Sequence, residues 1–246
     1  MLILLPPSEG KATPVEGDPV ALDSLVYGAE LGERRTALLD ALAGLVDVPR
    51  DAALAALGIS ERQAGEIAVD AELREAPAAP AASIYTGVLY DRLGLPDLPA
   101  RAQKRVLIAS ALWGVVRPSD RIPYYRFSVK ARIDGIGAPA AWWRTALAEA
   151  LPDRRGELIV DMRSAAYAAA WKPRRATALA VRAFSESGGK RKPVSHMAKA
   201  VRGEVARALL EERKVPADPE AAAAVARGAG FEVELNPGHL DVIVTE

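Results

Sequence analysis

Residues 110–126 read Ser110-Ala-Leu-Trp-Gly-Val-Val-Arg-Pro-Ser-Asp-Arg-Ile-Pro-Tyr-Tyr-Arg126 and indicate the class of fold. They follow an apolar run over residues 106–109, whose composition is typical of a buried strand. Pro118 and Pro123 exclude a continuous helix or a central strand within the stretch. We therefore predict an ordered loop at the end of a buried strand, which is where open α/β sheets place their functional sites.

Further apolar runs predict the other strands of the sheet. Residues 1–5 form a short, continuously apolar run, and residues 157–161 contain the apolar run Leu158-Ile159-Val160. Residues 125–129 and 177–185 also have strand composition. The segments 230–235 and 240–245 alternate around an Asn-Pro-Gly turn, which predicts a terminal hairpin.

Helical spacing of apolar residues separates these runs. It predicts helices over residues 34–46 and 139–151 and a long helix that ends at Arg213. In the second of these helices, Trp142, Ala146, Leu147 and Ala150 are predicted to face inward. Strands that alternate with helices predict an α/β fold, with a central mixed sheet and surrounding helices in one domain of residues 1–246.

Residues 50–70 predict a helix-hairpin-helix-like element within that domain. A helix over 51–57 is followed by the turn Gly58-Ile59-Ser60, and Ser60 to Gln63 form a capping box for a second helix. In nucleic-acid binders such a turn offers backbone N–H groups to a phosphate. An ordinary helical hairpin is the alternative, since the carboxylates around this turn repel a phosphate backbone.

Charge is segregated along the sequence although it sums to zero. Residues 1–100 carry 7 basic and 16 acidic side chains, residues 101–214 carry 24 and 10, and residues 215–246 carry 1 and 6. A basic middle segment predicts a positive cleft for an anionic partner. The alternative is that folding mixes the segments in space.

Composition excludes several kinds of site. The sequence has no cysteine and 2 histidines, so disulfides, thiolate metal sites and a His-rich zinc site are excluded, and we predict no metal and no cofactor. No apolar run approaches the roughly 20 residues of a membrane span, and the N-terminus lacks the basic region of a signal peptide. We therefore expect a cytoplasmic protein with no membrane partner.

Polar side chains gather where the predicted strands end. Lys11, Asp120 and Asp161 are the candidate catalytic residues, the lysine as a charge stabiliser and the aspartates as acid/base groups. The candidate anion-binding residues are Arg117, Tyr125, Arg126, Arg163, Ser164, Lys190, Arg191, Lys192, Lys199 and Arg202. If the strands share one sheet, several of these cations line a common crevice. A structural ion pair is the alternative for each residue, for example Arg117 with Asp120.

The ordered motifs resemble the YaaA family of peroxide-stress proteins. They are residues 6–11 (Pro-Pro-Ser-Glu-Gly-Lys), 84–87 (Ile-Tyr-Thr-Gly), 112–120 with Tyr125-Arg126, 161–164 (Asp-Met-Arg-Ser) with Tyr167, and 198–203. The resemblance implies a YaaA-type α/β fold and a cytoplasmic protein that limits hydrogen peroxide damage by limiting free iron. It also implies binding of double-stranded DNA through a helix-hairpin-helix and a positive cleft.

Three hypotheses follow for the function. The first is a peroxide-stress protein that binds DNA through a basic cleft, with phosphate contacts from residues 190–192, Lys199 and Arg202. The second is an enzyme that acts on a small anionic substrate, such as a nucleotide or nucleobase derivative, in the same cleft. The third is a structural partner protein with a solvated basic face, which accounts least well for the ordered motifs.

Overall fold

The computed structural model describes residues 1–187, 190–193 and 197–245. The strands in these residues are β1 (Leu2–Leu5), β2 (Ala79–Pro80), β3 (Val106–Ser110), β4 (Gly114–Val116), β5 (Arg121–Ile122), β6 (Leu158–Asp161), β7 (Thr177–Ser187), β8 (Lys190–Pro193), β9 (Glu232–Asn236) and β10 (His239–Thr245). Each of the apolar runs at residues 1–5, 106–109 and 157–161 is confirmed as a strand.

The α-helices of the described residues vary from one turn to four turns in length. They are α1 (Gly28–Ala43), α2 (Arg50–Leu57), α3 (Glu66–Ala71), α4 (Ala81–Ile84), α5 (Val88–Leu93), α6 (Ala100–Gln103), α7 (Pro139–Ala150), α8 (Ala165–Ala168), α9 (Met197–Glu211) and α10 (Pro219–Gly228). Short 3-10 turns cover Leu22–Ser24, Gly44–Asp47, Glu61–Gln63 and Leu95–Asp97. None of the helices in this part of the chain has both the length and the apolar character needed to cross a membrane.

Eight of the described strands form one mixed sheet. Its order is β4-β3-β1-β6-β7-β10-β9, and β8 pairs with β7 outside this path. The five strands β3, β1, β6, β7 and β10 are parallel to their neighbours within that set. Strands β4, β8 and β9 are antiparallel to theirs. The predicted α/β fold with a central mixed sheet and surrounding helices is confirmed.

Strand β1 lies between β3 and β6 in the parallel set and is buried along its whole length. Ile3 and Leu5 have no exposed surface, and Leu4 is 1% exposed. A parallel strand with both faces covered has no polar face, which is why this segment is a continuous apolar run rather than an alternating one.

The order of the parallel strands locates a functional edge. The five parallel strands can be renumbered 1 to 5 in chain order, as β1, β3, β6, β7 and β10. Their spatial order across the sheet is then 2-1-3-4-5. Connections leave β1 and β3 toward opposite sides, so the switch point of the strand order lies between the carboxyl ends of β1 and β6, the position at which open α/β sheets bind ligands. Lys11 follows β1, and Asp161 ends β6, so both lie beside this switch point.

Two sequence predictions about local structure are wrong. Residues 123–128 have no regular structure, whereas a strand was predicted over 125–129. The Arg126 N–H donates to the Asp70 carboxylate at 2.7 Å, so it makes no strand ladder bond. In α7 it is Trp143 that is buried, with its Nε1–H donating to the Ala111 carbonyl at 2.7 Å. Trp142 is half-buried beneath the Arg34 guanidinium, 4.9 Å from the ring centre.

The helix-hairpin-helix is not confirmed by the described residues. Helix α2 does end at a left-handed Gly58, with φ of 65°. The capping box Ser60 to Gln63 is present, but it opens a three-residue 3-10 turn. The helix beyond it, α3, has only 6 residues. Two of those residues, Glu66 and Asp70, contact the loop at 124–126.

The contact between α5 and α9 gives a packing prediction. A Cβ atom at Gly203 in α9 would lie 2.3 Å from the Leu89 carbonyl oxygen in α5. Gly203→Ala must push these helices apart, and we expect it to lower the free energy of unfolding by about 1–3 kcal/mol in urea denaturation. Gly32→Ala in α1 is the matched control, since that Cβ meets no atom within 4 Å. The control should gain about 1 kcal/mol of helix propensity. Equal effects of the two substitutions would contradict this packing.

Candidate functional site

The loop after β1 is fixed on the segment that contains Tyr85 and Thr86. Lys11 forms an isolated antiparallel bridge with Tyr85. The Ala12 N–H donates to the Ile84 carbonyl at 2.8 Å, and the Thr86 N–H donates to Ser8 Oγ at 3.2 Å. Two of the sequence motifs, residues 6–11 and 84–87, are therefore one structural unit that sets the position of Lys11.

The Lys11 ammonium lies between backbone and aromatic rings. Its Nζ donates to the Ser8 carbonyl at 2.9 Å and lies 4.4 Å from the centre of the Tyr125 ring. Burial, with the nearby charge of Arg126, lowers the pKa of Lys11 to about 8, although the charges of Asp70, Glu66 and Glu9 oppose this. Lys11 can therefore hold or release a proton close to neutral pH.

A chain of buried, hydrogen-bonded hydroxyls lies beside Lys11. The Tyr125 hydroxyl lies 2.8 Å from the Tyr85 hydroxyl and 2.8 Å from Ser110 Oγ. Ser110 Oγ also accepts from the backbone N–H of Trp113 at 3.0 Å. Burial raises the pKa of Tyr85 and of Tyr125, so both remain neutral hydroxyls. This chain joins the carboxyl end of β3 to the Lys11 loop.

Asp70 faces the same place from α3. The residue is 1% exposed, and its Oδ1 accepts from the Arg126 N–H at 2.7 Å. Within the described residues its Oδ2 has no hydrogen-bond partner. Burial raises the pKa of Asp70 to about 7. The Arg126 side chain extends beyond it, and its guanidinium donates to the Glu9 carbonyl at 3.1 Å.

Glu66 lies one helical turn before Asp70. Its Oε1 accepts from the Tyr124 hydroxyl at 2.9 Å. Its Oε2 is buried and has no partner in the described part of the chain. Burial and the hydrogen bond to Glu66 raise the pKa of Tyr124 to about 12, so Tyr124 remains a donor.

We name Lys11, Glu66, Asp70, Tyr125 and Arg126 together the Lys11 site. Its two cations suit an anionic group, and its two free carboxylate oxygens suit N–H donors. Lys11 and Asp70 have pKa values of about 8 and about 7, which suit them for proton transfer at neutral pH.

Arg117 and Asp120 belong to a different part of the loop. Asp120 is buried, and its Oδ2 accepts from the Val26 N–H at 3.0 Å and the Arg117 N–H at 2.9 Å. The Arg117 side chain is exposed, and its charge acts on Tyr27. Asp120 therefore fixes this turn through backbone groups, and the structure does not bring these two residues to Lys11.

Asp161 and Arg163 form a separate buried pair at the end of β6. The Arg163 Nε–H donates to Asp161 Oδ1 at 2.9 Å, Nη2 donates to Asp161 Oδ2 at 2.8 Å, and Nη2 also donates to the Trp171 carbonyl at 2.9 Å. Arg202 is half-buried, and its Nε–H donates to the Val181 carbonyl at 3.1 Å. Burial lowers the pKa of Arg202, and the charge of Asp161 opposes this. Ser164 is exposed at the start of α8.

The remaining cations lie toward β8 and α9. Arg191 bonds the carboxylates of Glu186 and Glu234, so its charge is neutralised locally. Lys192 and Lys199 are exposed. The side chain of Lys190 is outside the described part of the structure. Of the residues predicted to share a crevice, the structure brings Lys11 together with Tyr125 and Arg126, while the other cations lie apart from them.

Sequence reasoning missed Glu66, Asp70 and the hydroxyl of Tyr85. The two carboxylates were counted only as charges that repel phosphate. Their spacing of four residues on one face of a helix is the signal that could have suggested a shared role. Among the described residues, no group of three or more His, Asp or Glu side chains is placed to hold a metal ion.

The raised pKa of Asp70 predicts how stability depends on pH. The folded protein keeps this proton up to about pH 7, whereas the unfolded chain releases it near pH 3.8. Folding is therefore favoured less as pH rises through this window. Asp70→Asn should remove that loss, so between pH 5 and 8 the wild type should fall by about 2–3 kcal/mol relative to the variant.

Urea denaturation at both pH values measures this difference. Glu72→Gln is the control, since Glu72 is exposed just beyond α3. If wild type and Asp70→Asn change in parallel with pH, Asp70 is not held protonated by burial.

Comparisons with known proteins cover nearly the whole chain. A family model described as peroxide stress protein YaaA matches residues 1–234. A UPF0246 protein of Streptomyces coelicolor is 44% identical over 261 aligned residues, which cover 100% of this chain and 99% of the relative. UPF0246 proteins of Corynebacterium efficiens and Corynebacterium glutamicum are 40% and 37% identical, each over 99% of this chain and 98% of the relative. The chain therefore belongs to the YaaA family of peroxide-stress proteins, as its ordered motifs predicted.

Proposed function

We propose that this protein contributes to peroxide-stress protection by acting, at the Lys11 site, on a small anionic ligand. One observation carries the proposal. Asp70 is 1% exposed, its Oδ2 has no hydrogen-bond partner among the described residues, and its charge acts on Lys11. A buried carboxylate oxygen that has no hydrogen-bond partner lowers the stability of the folded protein. Groups perturbed in this way concentrate at ligand and catalytic sites.

Each residue of the site has a role in the proposal. Lys11 and Arg126 bind the anionic group of the ligand, the arginine through its planar fork of donors. Asp70 accepts or donates a proton near pH 7, the value about which its pKa lies. Tyr125 supplies an apolar wall, since its hydroxyl is engaged by Ser110 and Tyr85.

The position in the fold supports the same proposal. Lys11 lies in the loop after β1, an interior parallel strand at the switch point of the strand order, where open α/β sheets bind their ligands. Any effect on free iron is then an indirect consequence of what the protein does to this ligand. The proposed setting is the cytoplasm, as the family resemblance implies.

Thermal unfolding with a panel of small anions tests the proposal. At a ligand concentration of about 100 Kd, we expect at least one nucleotide, sugar phosphate or carboxylate to raise the Tm of the wild type by about 5 °C or more. Lys11→Met should abolish the rise, because it removes the cation and keeps the length of the side chain. Lys199→Met, at an exposed site on α9, is the matched control and should keep it.

Survival under hydrogen peroxide connects the site to the stress function. In a host that lacks its own copy, Lys11→Met should fail to restore survival while Lys199→Met restores it. Ligand shifts or survival that are equal in the two variants would contradict the proposal.

Double-stranded DNA is the second candidate partner. The observation in its favour lies at the tip of the helical hairpin, where a Cβ at Gly58 would be 3.2 Å from Lys130 Cβ. The neighbouring Arg132 N–H donates to the Ala56 carbonyl at 2.6 Å. The loop at 130–132 thus adds two cations to an otherwise acidic hairpin, and Lys192 and Lys199 are further exposed cations.

Salt dependence tests DNA binding through these lysines. Lys130→Ala and Lys199→Ala should each reduce the slope of log K against log salt by about 1 if the lysine contacts a phosphate. Lys104→Ala, at an exposed lysine after α6, should leave the slope unchanged. DNA affinity that does not fall with salt would contradict binding through a basic surface.

A further inference from the structure

We propose that the ligand of the Lys11 site carries two adjacent uncharged N–H donors in addition to its anionic group, as an amino-substituted nucleobase on a phosphate does. This inference rests on the proposed function, since it names the class of the small anionic ligand. Among the bases, the guanine edge, with a ring N–H beside an exocyclic amine, has this arrangement of donors.

Each of the two carboxylates of α3 has one oxygen that is hydrogen-bonded and one that is not. One oxygen of each is fixed by the protein, Asp70 Oδ1 by the Arg126 N–H at 2.7 Å and Glu66 Oε1 by the Tyr124 hydroxyl at 2.9 Å. The other oxygen of each, Asp70 Oδ2 and Glu66 Oε2, is buried and has no partner in the described residues. The fixed halves orient the free halves, so the two acceptors are held in place before a ligand arrives.

The spacing of the carboxylates indicates that the two free oxygens serve one ligand. Glu66 and Asp70 are four residues apart on α3, so they lie on the same face, with Cβ atoms about 6 Å apart. The charges of both residues act on Lys11. A ligand that reaches one free oxygen therefore has the other within reach.

The neighbouring cations disfavour a positively charged donor. Lys11 and Arg126 both act on this place, and Arg126 already lowers the pKa of Lys11 by repulsion. A metal ion or an ammonium group would add a third positive charge beside them. Neutral N–H groups satisfy carboxylate oxygens without that repulsion, and an anionic group on the same molecule then pairs with Lys11 and Arg126.

Binding of three ligands that share a phosphate tests this inference. Guanosine monophosphate has the ring N–H and the exocyclic amine, inosine monophosphate lacks the amine, and ribose 5-phosphate lacks the base. By isothermal titration calorimetry at pH 8, where Asp70 is ionised, the wild type should bind guanosine monophosphate about 10-fold or more tightly than inosine monophosphate, because the missing amine leaves a buried carboxylate oxygen unsatisfied.

Substitutions assign the preference to the carboxylates. Asp70→Asn and Glu66→Gln should each reduce the preference for guanosine over inosine monophosphate to below about 3-fold, because an amide presents donors where an acceptor is needed. Both variants should still bind ribose 5-phosphate, since Lys11 and Arg126 remain. Glu72→Gln is the matched control and should retain the full preference, since Glu72 is exposed. Lys11→Met should weaken all three ligands while keeping the preference.

The outcomes separate this inference from the proposed function. Equal binding of the three phosphates, or a preference that survives in Asp70→Asn and in Glu66→Gln, overturns the inference and leaves an anion site at Lys11. Failure of every small anion to bind the wild type overturns both.

Discussion

The hydroxyl of Tyr125 is the contact on which the candidate site depends. It lies 2.8 Å from Ser110 Oγ at the end of β3 and 2.8 Å from the Tyr85 hydroxyl beside the Lys11 loop. The ring of Trp113 meets Tyr125 edge-on, with centroids 6.0 Å apart, and holds it from the core side. A buried hydroxyl left without a hydrogen-bond partner costs about 1–3 kcal/mol of stability. The three hydroxyls therefore stay together and hold the end of β3 against the segment that contains Tyr85.

Burial then gives the site its chemistry. The same exclusion of water that stabilises the hydroxyl chain lowers the pKa of Lys11 to about 8 and raises that of Asp70 to about 7. Arg126 contributes in two ways, since its backbone N–H orients Asp70 and its charge acts on Lys11. A cation and an acid of similar pKa, close enough for the charge of one to act on the other, are suited to hold an anion and move a proton.

The elements predicted from sequence are those whose signal is local. Strands β1, β3 and β6 are apolar runs because both faces of a parallel sheet are covered. The placing of Lys11 in the loop after β1 could be predicted from where that strand ends. Asp70 was missed because its partner, Arg126, lies 56 residues further along the chain, and the contact is made by tertiary folding alone. Asp120 has the residue type of an acid/base group, yet its oxygen accepts two backbone N–H groups. Arg191 contributes to a basic segment in the sequence, but the position of β9 places Glu234 against it.

An NMR titration of the Lys11 side chain is the decisive measurement, since it reports the burial of Lys11 and the charge of Asp70 together. In the wild type, Lys11 should titrate near pH 8 rather than at the ordinary value of 10.5. In Asp70→Asn its pKa should fall further, because a neighbouring negative charge that favours the ammonium is removed. A Lys11 that titrates at its ordinary value and does not respond to Asp70→Asn would show that the two residues do not share a buried site.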